Sequence, residues 1–271
     1  VIALYRLGAS ADKIKDYYDN YARLTPYGYA LEKPKPSKYN ITAANWSCYL
    51  GMRSSFSAYV FFFTAEAKRL GTNSLLEKYF PTLLPGWAGA ITHATIHLGW
   101  ALDIGNEYMV IEALAYMAFT YVSCHVERCN DNNNTNTAGK SNTVIDDLLL
   151  IAKAWDKNSE EWKEEIESMI ADKSIDININ MHPEIIRSGL QYRIAKMLNH
   201  GHPLIYSTPT WLKNNLSSID EIWQQLHYMS ALLYMINPGD FLILHLITSL
   251  HAMENIAQHM NENQQREIIK C

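Results

Sequence analysis

No run of apolar residues in this 271-residue chain approaches the roughly 20 needed to cross a bilayer. The longest, Ala58 to Phe63 and Met109 to Cys124, are short or interrupted by Glu112. Cysteine is scarce: Cys48, Cys124, Cys129 and Cys271 form no CxxC pair, so free thiols are expected rather than a zinc clip or a disulfide framework. There is no block of Lys or Arg and the net charge is −5, which argues against nucleic acid as a partner. No Gly-x-Gly-x-x-Gly follows a strand, and neither a phosphate-binding Gly-x-x-x-x-Gly-Lys-Ser/Thr nor a Gly-x-Ser-x-Gly elbow occurs, so nucleotide-binding and hydrolase classes lose support. The sequence opens on Val1 with no charged leader and no apolar h-region in view, so no signal peptide is visible and a cytoplasmic location is expected. The sequons at Asn40, Asn45, Asn133 and Asn215 would matter only in a secretory compartment.

What is present is apolar and aromatic. A hydrophobic fraction of 48% supplies a sizeable core, and 7 Trp with 17 Tyr could either pack that core or line a pocket for a flat organic ligand. Helical periodicity dominates. Val1 to Leu7 reads as the end of a helix closed by Gly8, and Ser10 as the cap of a second one carrying Ile14, Tyr17, Tyr18 and Tyr21. After a proline-rich extended piece, Thr25 to Ser37, helices are expected over Tyr49 to Leu70, over Ser74 to Tyr79, from just after Pro85-Gly86, and over Glu107 to His125. The polar, Asn-rich stretch 130–142 reads as a flexible loop. Beyond it come Val144 to Trp155, Glu160 to Asp172, Glu184 to Asn199, Ser217 to Met235 and Phe241 to Glu262. Strand-like alternation is confined to Ile175 to Ile179, so the fold is expected to be all-α, a single large helical domain (1–271) built around a buried pocket.

One stretch carries candidate chemistry: Gly89 to Asn106, "GAITHATIHLGWALDIGN". At about 100° per residue, His93, His97, Trp100 and Ile104 fall within roughly 60° of one another on a helix, a face expected to point inward. Gly86, Gly89 and Gly99 lower helix propensity, which suggests close approach of a neighbouring backbone or a ligand, or plain helix packing. On the next helix Glu112, Tyr116, Phe119 and Ser123 share a face, and Glu112 could orient a histidine N–H. In "FLILHLITSLHAM", His245, Thr248 and Ala252 share a side while His251 lies about 120° from His245.

The paired histidines admit three accounts. Buried imidazoles that only satisfy hydrogen bonds are the plainest. Metal ligation has the right i, i+4 geometry, but no His-Glu-x-x-His occurs, no Glu-x-x-His lies on this helix, and a third ligand has no signal; the reading disfavours metal. Proton handling needs only an imidazole that titrates near neutrality and an aromatic wall for a planar substrate, and it is the reading preferred here.

Four blocks, taken in order, resemble the questin oxidase-like family of fungal polyketide-pathway enzymes and relatives. They are "YRLGASADKIKDYYDNY" (Tyr5 to Tyr21); "NWSCYLG" (Asn45 to Gly51) with "FFFTAEAKRLG" (Phe61 to Gly71); "GAITHATIHLGWALDIGN" with "MVIEALAYMAF" (Gly89 to Phe119); and "FLILHLITSLHAM" (Phe241 to Met253). The resemblance implies an all-helical oxidoreductase performing oxygen-dependent Baeyer–Villiger or related oxidation of an aromatic or polyketide ketone. It implies NADPH as reductant; no flavin motif stands in the sequence, and no bound flavin is expected. It also implies a histidine-rich segment upstream of Val1. Carried over residue by residue, it makes His93, His97 and His245 the catalytic candidates; Trp46, Trp100, Glu112, Tyr116 and Thr248, which it does not map, are then expected around the substrate. Two rivals stay open: a non-catalytic carrier of an aromatic or lipid-like molecule, and a histidine-ligated iron or haem protein.

Overall fold

The computed structural model describes residues 1–23, 36–124, 143–172, 189–201 and 218–271, with the side chains of 189 and 191 set aside. Eleven α-helices and no strand are found among them, a single all-α domain. In chain order these are α1 (Ile2–Arg6), α2 (Ala11–Arg23), α3 (Phe56–Leu70), α4 (Thr72–Leu83), α5 (His93–Asp103), α6 (Glu107–Phe119), α7 (Val144–Ala171), α8 (Gly189–His200), α9 (Ile219–Ile236), α10 (Phe241–Ala257) and α11 (Glu262–Lys270). The proline-rich piece falls largely, and the Asn-rich loop and the strand-like Ile175 to Ile179 wholly, outside the described residues.

Helix α5 lies at the centre, packed against α10 on one side and α6 on the other; α3 covers α6, α4 braces both, and α9 backs α10. The α5–α10 crossing is tight because Gly99 and Ala252 meet there, and a Cβ on Gly99 would overlap the Ala252 backbone. Helix α6 is apolar nearly all round, burying Val110, Ile111, Ala113, Leu114, Ala115, Met117 and Ala118, as expected of an element with neighbours on every side. Side-chain caps fix the start of most later helices. Asn106 accepts from Met109 N, Asp240 accepts from Leu242 N and Ile243 N, and capping boxes join Thr143 to Asp146, Ser218 to Glu221 and Asn261 to Gln264. In α8, the fully buried Lys196 donates to the carbonyls of Ile170 and Asp172, closing the C-terminus of α7.

Several boundaries correct the sequence reading. The helix expected from Tyr49 starts at Phe56, because Gly51 takes φ +78° and the chain before it forms two 3₁₀ turns, Trp46–Tyr49 and Arg53–Ser55. Helix α4 runs through Pro81 to Leu83 instead of stopping at Tyr79. Helix α6 ends at Phe119, so Ser123 is not on its face. There the Thr120 hydroxyl bonds back to the Tyr116 carbonyl, and Cys124 N reaches across to the Pro85 carbonyl at 2.7 Å. The two helices expected over Val144 to Asp172 are one, since nothing between Asp156 and Ser159 breaks it. The last expected helix stops at Ala257, short of Glu262, and a further helix that was not expected, α11, follows from Glu262.

A charge network missed by the sequence reading ties α3 to α4. The carboxylate of Glu66, 8% exposed, accepts from Arg69 Nε at 2.9 Å, Lys78 Nζ at 3.0 Å and the buried Tyr79 hydroxyl. The Arg69 guanidinium, aided by Tyr79 and Lys78, holds this carboxyl down at about 2. A depressed carboxyl stabilises the fold above its unfolded value near 4.3 and loses that contribution as pH falls toward 2. Glu66→Gln is expected to destabilise by about 2–3 kcal/mol at pH 7, because the buried Tyr79 hydroxyl and two cations lose their charged acceptor. The gap from wild type should shrink below pH 4, as read by denaturant melts across that range.

Candidate functional site

The start of α5 is built unusually. Ala90, Ile91 and Thr92 take φ of +50°, +55° and +64°, three successive non-glycine residues in the left-handed region, two of them β-branched. Such residues cost about 1–2 kcal/mol each. The turn is clamped from behind. A Cβ on Gly89 would run into the Thr120 carbonyl oxygen and one on Gly86 into the Tyr121 ring, while the Thr95 hydroxyl donates to the Trp87 carbonyl at 2.8 Å. The helix expected just after Pro85-Gly86 therefore begins at His93.

His93 meets His245 of α10, Nε2 to Nε2 at 2.9 Å, with ring centroids 4.8 Å apart and planes at 64°. The other nitrogen of His245, Nδ1, lies 2.6 Å from the Phe241 carbonyl oxygen, which can only accept. Nδ1 of His245 therefore carries a proton. When His245 is neutral its Nε2 is a lone pair, and His93 Nε2–H donates to it. That leaves His93 Nδ1 as the basic nitrogen of the pair, on a side chain exposed to solvent while His245 is buried. Burial, then the neighbouring His245, push the His93 imidazole below its ordinary value, opposed by the Ala90 carbonyl.

His97 does not join this contact. It turns to α6, where Glu112 and the Met109 backbone favour its charged form, yet burial prevails and holds its imidazole below the ordinary value. Its Nε2 is buried with no hydrogen-bond partner among the described residues, as are Trp87 Nε1 and Thr92 Oγ1. The histidine face of α5 is accordingly not its most buried one. The residues wholly inside are Ala94, Thr95, Leu98, Gly99 and Ala101, and the two histidines, four apart in sequence, serve opposite neighbours.

The other predicted residues are scattered. Trp46 stacks on Phe62 and meets Tyr79 edge-on at 5.1 Å within the α3–α4 aromatic core. Trp100 packs against His251, not against the histidine pair, at 5.5 Å. Glu112 is half-buried beside His97 and Tyr108, and raises the Tyr108 phenol. Tyr116 stacks on Phe119 at 5.3 Å, its phenol raised by burial. Thr248 lies on the His245 side of α10, but its hydroxyl donates back to the Leu244 and His245 carbonyls. Phe241, missed by the sequence reading, is the closest aromatic, its half-exposed ring 4.2 Å from that of His245. It stands four residues before His245 in an apolar helix, a spacing that could have revealed it. Two pockets, of about 190 and 320 Å³, are lined by Phe80, Leu84, Met260 and Ile268, and by Tyr39, Thr42, Phe61 and Glu66; neither involves the histidines.

The fold and this contact define an all-helical protein with an imidazole pair at the crossing of two central helices, one ring buried and one open. The family model described as Questin oxidase-like matches residues 1–270, and the chain belongs to that family. No curated protein matches it. Membership gives an oxidase-type function. No helix among the described residues is long and apolar enough to cross a membrane, and no group of three or more His, Cys, Asp or Glu side chains among them could hold a metal ion. Cys48, Cys124 and Cys271 form no disulfide with one another, and Cys129 lies outside the described residues.

Proposed function

We propose that the protein carries out an oxygen-dependent oxidation of an aromatic or polyketide ketone, of the Baeyer–Villiger type or close to it, with His93 and His245 as its acid–base pair. The observation that carries this reading is the 2.9 Å contact between a solvent-facing and a buried imidazole. His93 Nδ1 takes a phenol or enol proton from the substrate. The Nε2 proton then passes to His245, whose Nδ1–H remains on the Phe241 carbonyl, so the positive charge ends in a pre-arranged acceptor. The electron-rich carbon left behind reacts with dioxygen. Inserting one oxygen atom and releasing the other as water takes two electrons from a reductant, a role the resemblance gives to NADPH. No strand–turn–helix phosphate cradle exists among the described residues, so no side chain is assigned to that cofactor and it enters as a co-substrate. Phe241 offers the aromatic surface nearest the pair, and Trp100, Tyr116 and Trp46 are left as packing residues.

A second reading, iron held by histidines, is favoured by the same contact. Two imidazole nitrogens 2.9 Å apart can both lie about 2.1 Å from one cation at close to a right angle, with His97, turned to α6, taking no part. The test is oxygen consumption by the purified chain with hydroxylated aromatic ketones and NADPH, alongside metal analysis and a visible spectrum. Consumption without stoichiometric metal supports the acid–base reading. Iron lost in both His93→Ala and His245→Ala supports the second. Ligand binding with no oxygen consumption and no metal makes the protein a carrier and overturns both.

A further inference from the structure

We propose that the left-handed turn Ala90–Thr92 is the positioning element of His93, a strained segment whose work is to aim that ring at His245. The proposal rests on the role given to His93 above. Its support is geometric. Three consecutive residues with positive φ, none of them glycine, end at the residue before His93. The chain there is fixed on both sides: upstream, Gly86 and Gly89 are wedged against Tyr121 and the Thr120 carbonyl and the Pro85 carbonyl accepts from Cys124 N; downstream, α5 is locked to α10 by Gly99 and Ala252.

Only two backbone bonds close the turn, Thr92 N to the Ala88 carbonyl at 3.3 Å and His93 N to the Ala90 carbonyl at 3.2 Å, and both are long. Thr92 occupies the N-cap position of α5 without a side-chain capping bond, and its hydroxyl is buried without a partner among the described residues. A right-handed path through the same residues would extend α5 backward by a turn and satisfy the amides that the left-handed turn forgoes. Strain that persists against so simple an alternative is held by the surroundings, and such segments gather where a side chain must be aimed. The side chain that follows is His93, whose Nε2 must reach His245 on a different helix within 2.9 Å. Ala90, Ile91 and Thr92 are thus positioning residues acting through His93.

Two measurements that need no substrate test this. Glycine is free to adopt positive φ, so Ala90→Gly is expected to raise Tm by about 2–4 °C, whereas at an ordinary helical position the same change lowers it. The double variant Ala90→Gly/Ile91→Gly keeps the chain folded but unlocks the turn. It is expected to raise the rate of His93 modification by diethyl pyrocarbonate at least threefold, relative to the exposed His259 in the same sample. Should the double variant not fold, Thr92→Gly replaces it under the same criterion. A lower Tm for Ala90→Gly, or an unchanged His93 rate in the loosened variant, overturns the proposal. Absence of oxygen consumption would overturn the functional reading alone.

Discussion

Replacing His245 by alanine is expected to lower turnover on a hydroxylated aromatic ketone by about 10²–10⁴-fold, the range typical of a lost acid–base group, while leaving KM within a few-fold. The argument is in the wiring. His245 is buried, so it does not meet substrate; it accepts the proton that His93 passes on, and its Nδ1–H is already satisfied by the Phe241 carbonyl. Without it, His93 must hold the charge alone, beside a cavity where the second ring stood. His93→Ala removes the open end of the same chain and should cost a similar factor, and the double variant should be no worse than either single one, because the two act as a unit. Independent losses that multiply would show that the rings do not work in series.

The pH dependence follows from the sign of the shift. Burial and the neighbouring ring hold His93 below its ordinary value near 6.5, so the basic form prevails at neutrality and kcat/KM should fall only as pH drops below about 6.5. Stability should fall on the same side. The folded state disfavours protonation of His93 and His97, both shifted down, so the unfolded chain binds more protons as pH falls below the unfolded value and the fold is weakened there. A kcat/KM limb that falls instead above pH 7 would assign the pair to the acid role.

Much of this was open to the sequence, and the parts that were not have physical reasons. The apolar run around His245 marks α10 with its correct start, because Asp240 caps it and the pattern is strong. The histidine spacing on α5 is equally plain, yet angular position alone cannot say which neighbour each ring meets: His93 goes to α10 and His97 to α6 only because α5 runs between them. The turn before His93 is invisible for another reason. Left-handed backbone is read from glycine, and positions 90–92 have none; Gly89 signals a close approach, not the turn itself. The Glu66 network had a faint signal in the i, i+3 pair Glu66 and Arg69, but Lys78 and Tyr79 join it across two helices. Helix α11, "ENQQREIIK", lacks the apolar stripe that periodicity needs, and only its Asn261–Gln264 capping box betrays it.

Gly99→Val is expected to destabilise by at least about 3 kcal/mol, a fall in Tm of about 6–12 °C, and to abolish turnover in whatever fraction remains folded. The position is helical, so the effect does not come from backbone freedom. It comes from the crossing itself: a Cβ there would overlap the backbone of Ala252, and a helix backbone cannot step aside as a flexible side chain can. Relief requires α5 and α10 to separate, and these are the helices that carry His93 and His245. A displacement of even 1 Å would stretch the 2.9 Å Nε2 contact past hydrogen-bonding range. Ala252→Gly in the Gly99→Ala background offers the matching rescue, since it returns one methyl's width to the crossing. Recovery of both Tm and turnover would show that helix separation links the fold to the pair. Recovery of Tm without turnover would mean that the rings depend on something other than the spacing of these two helices.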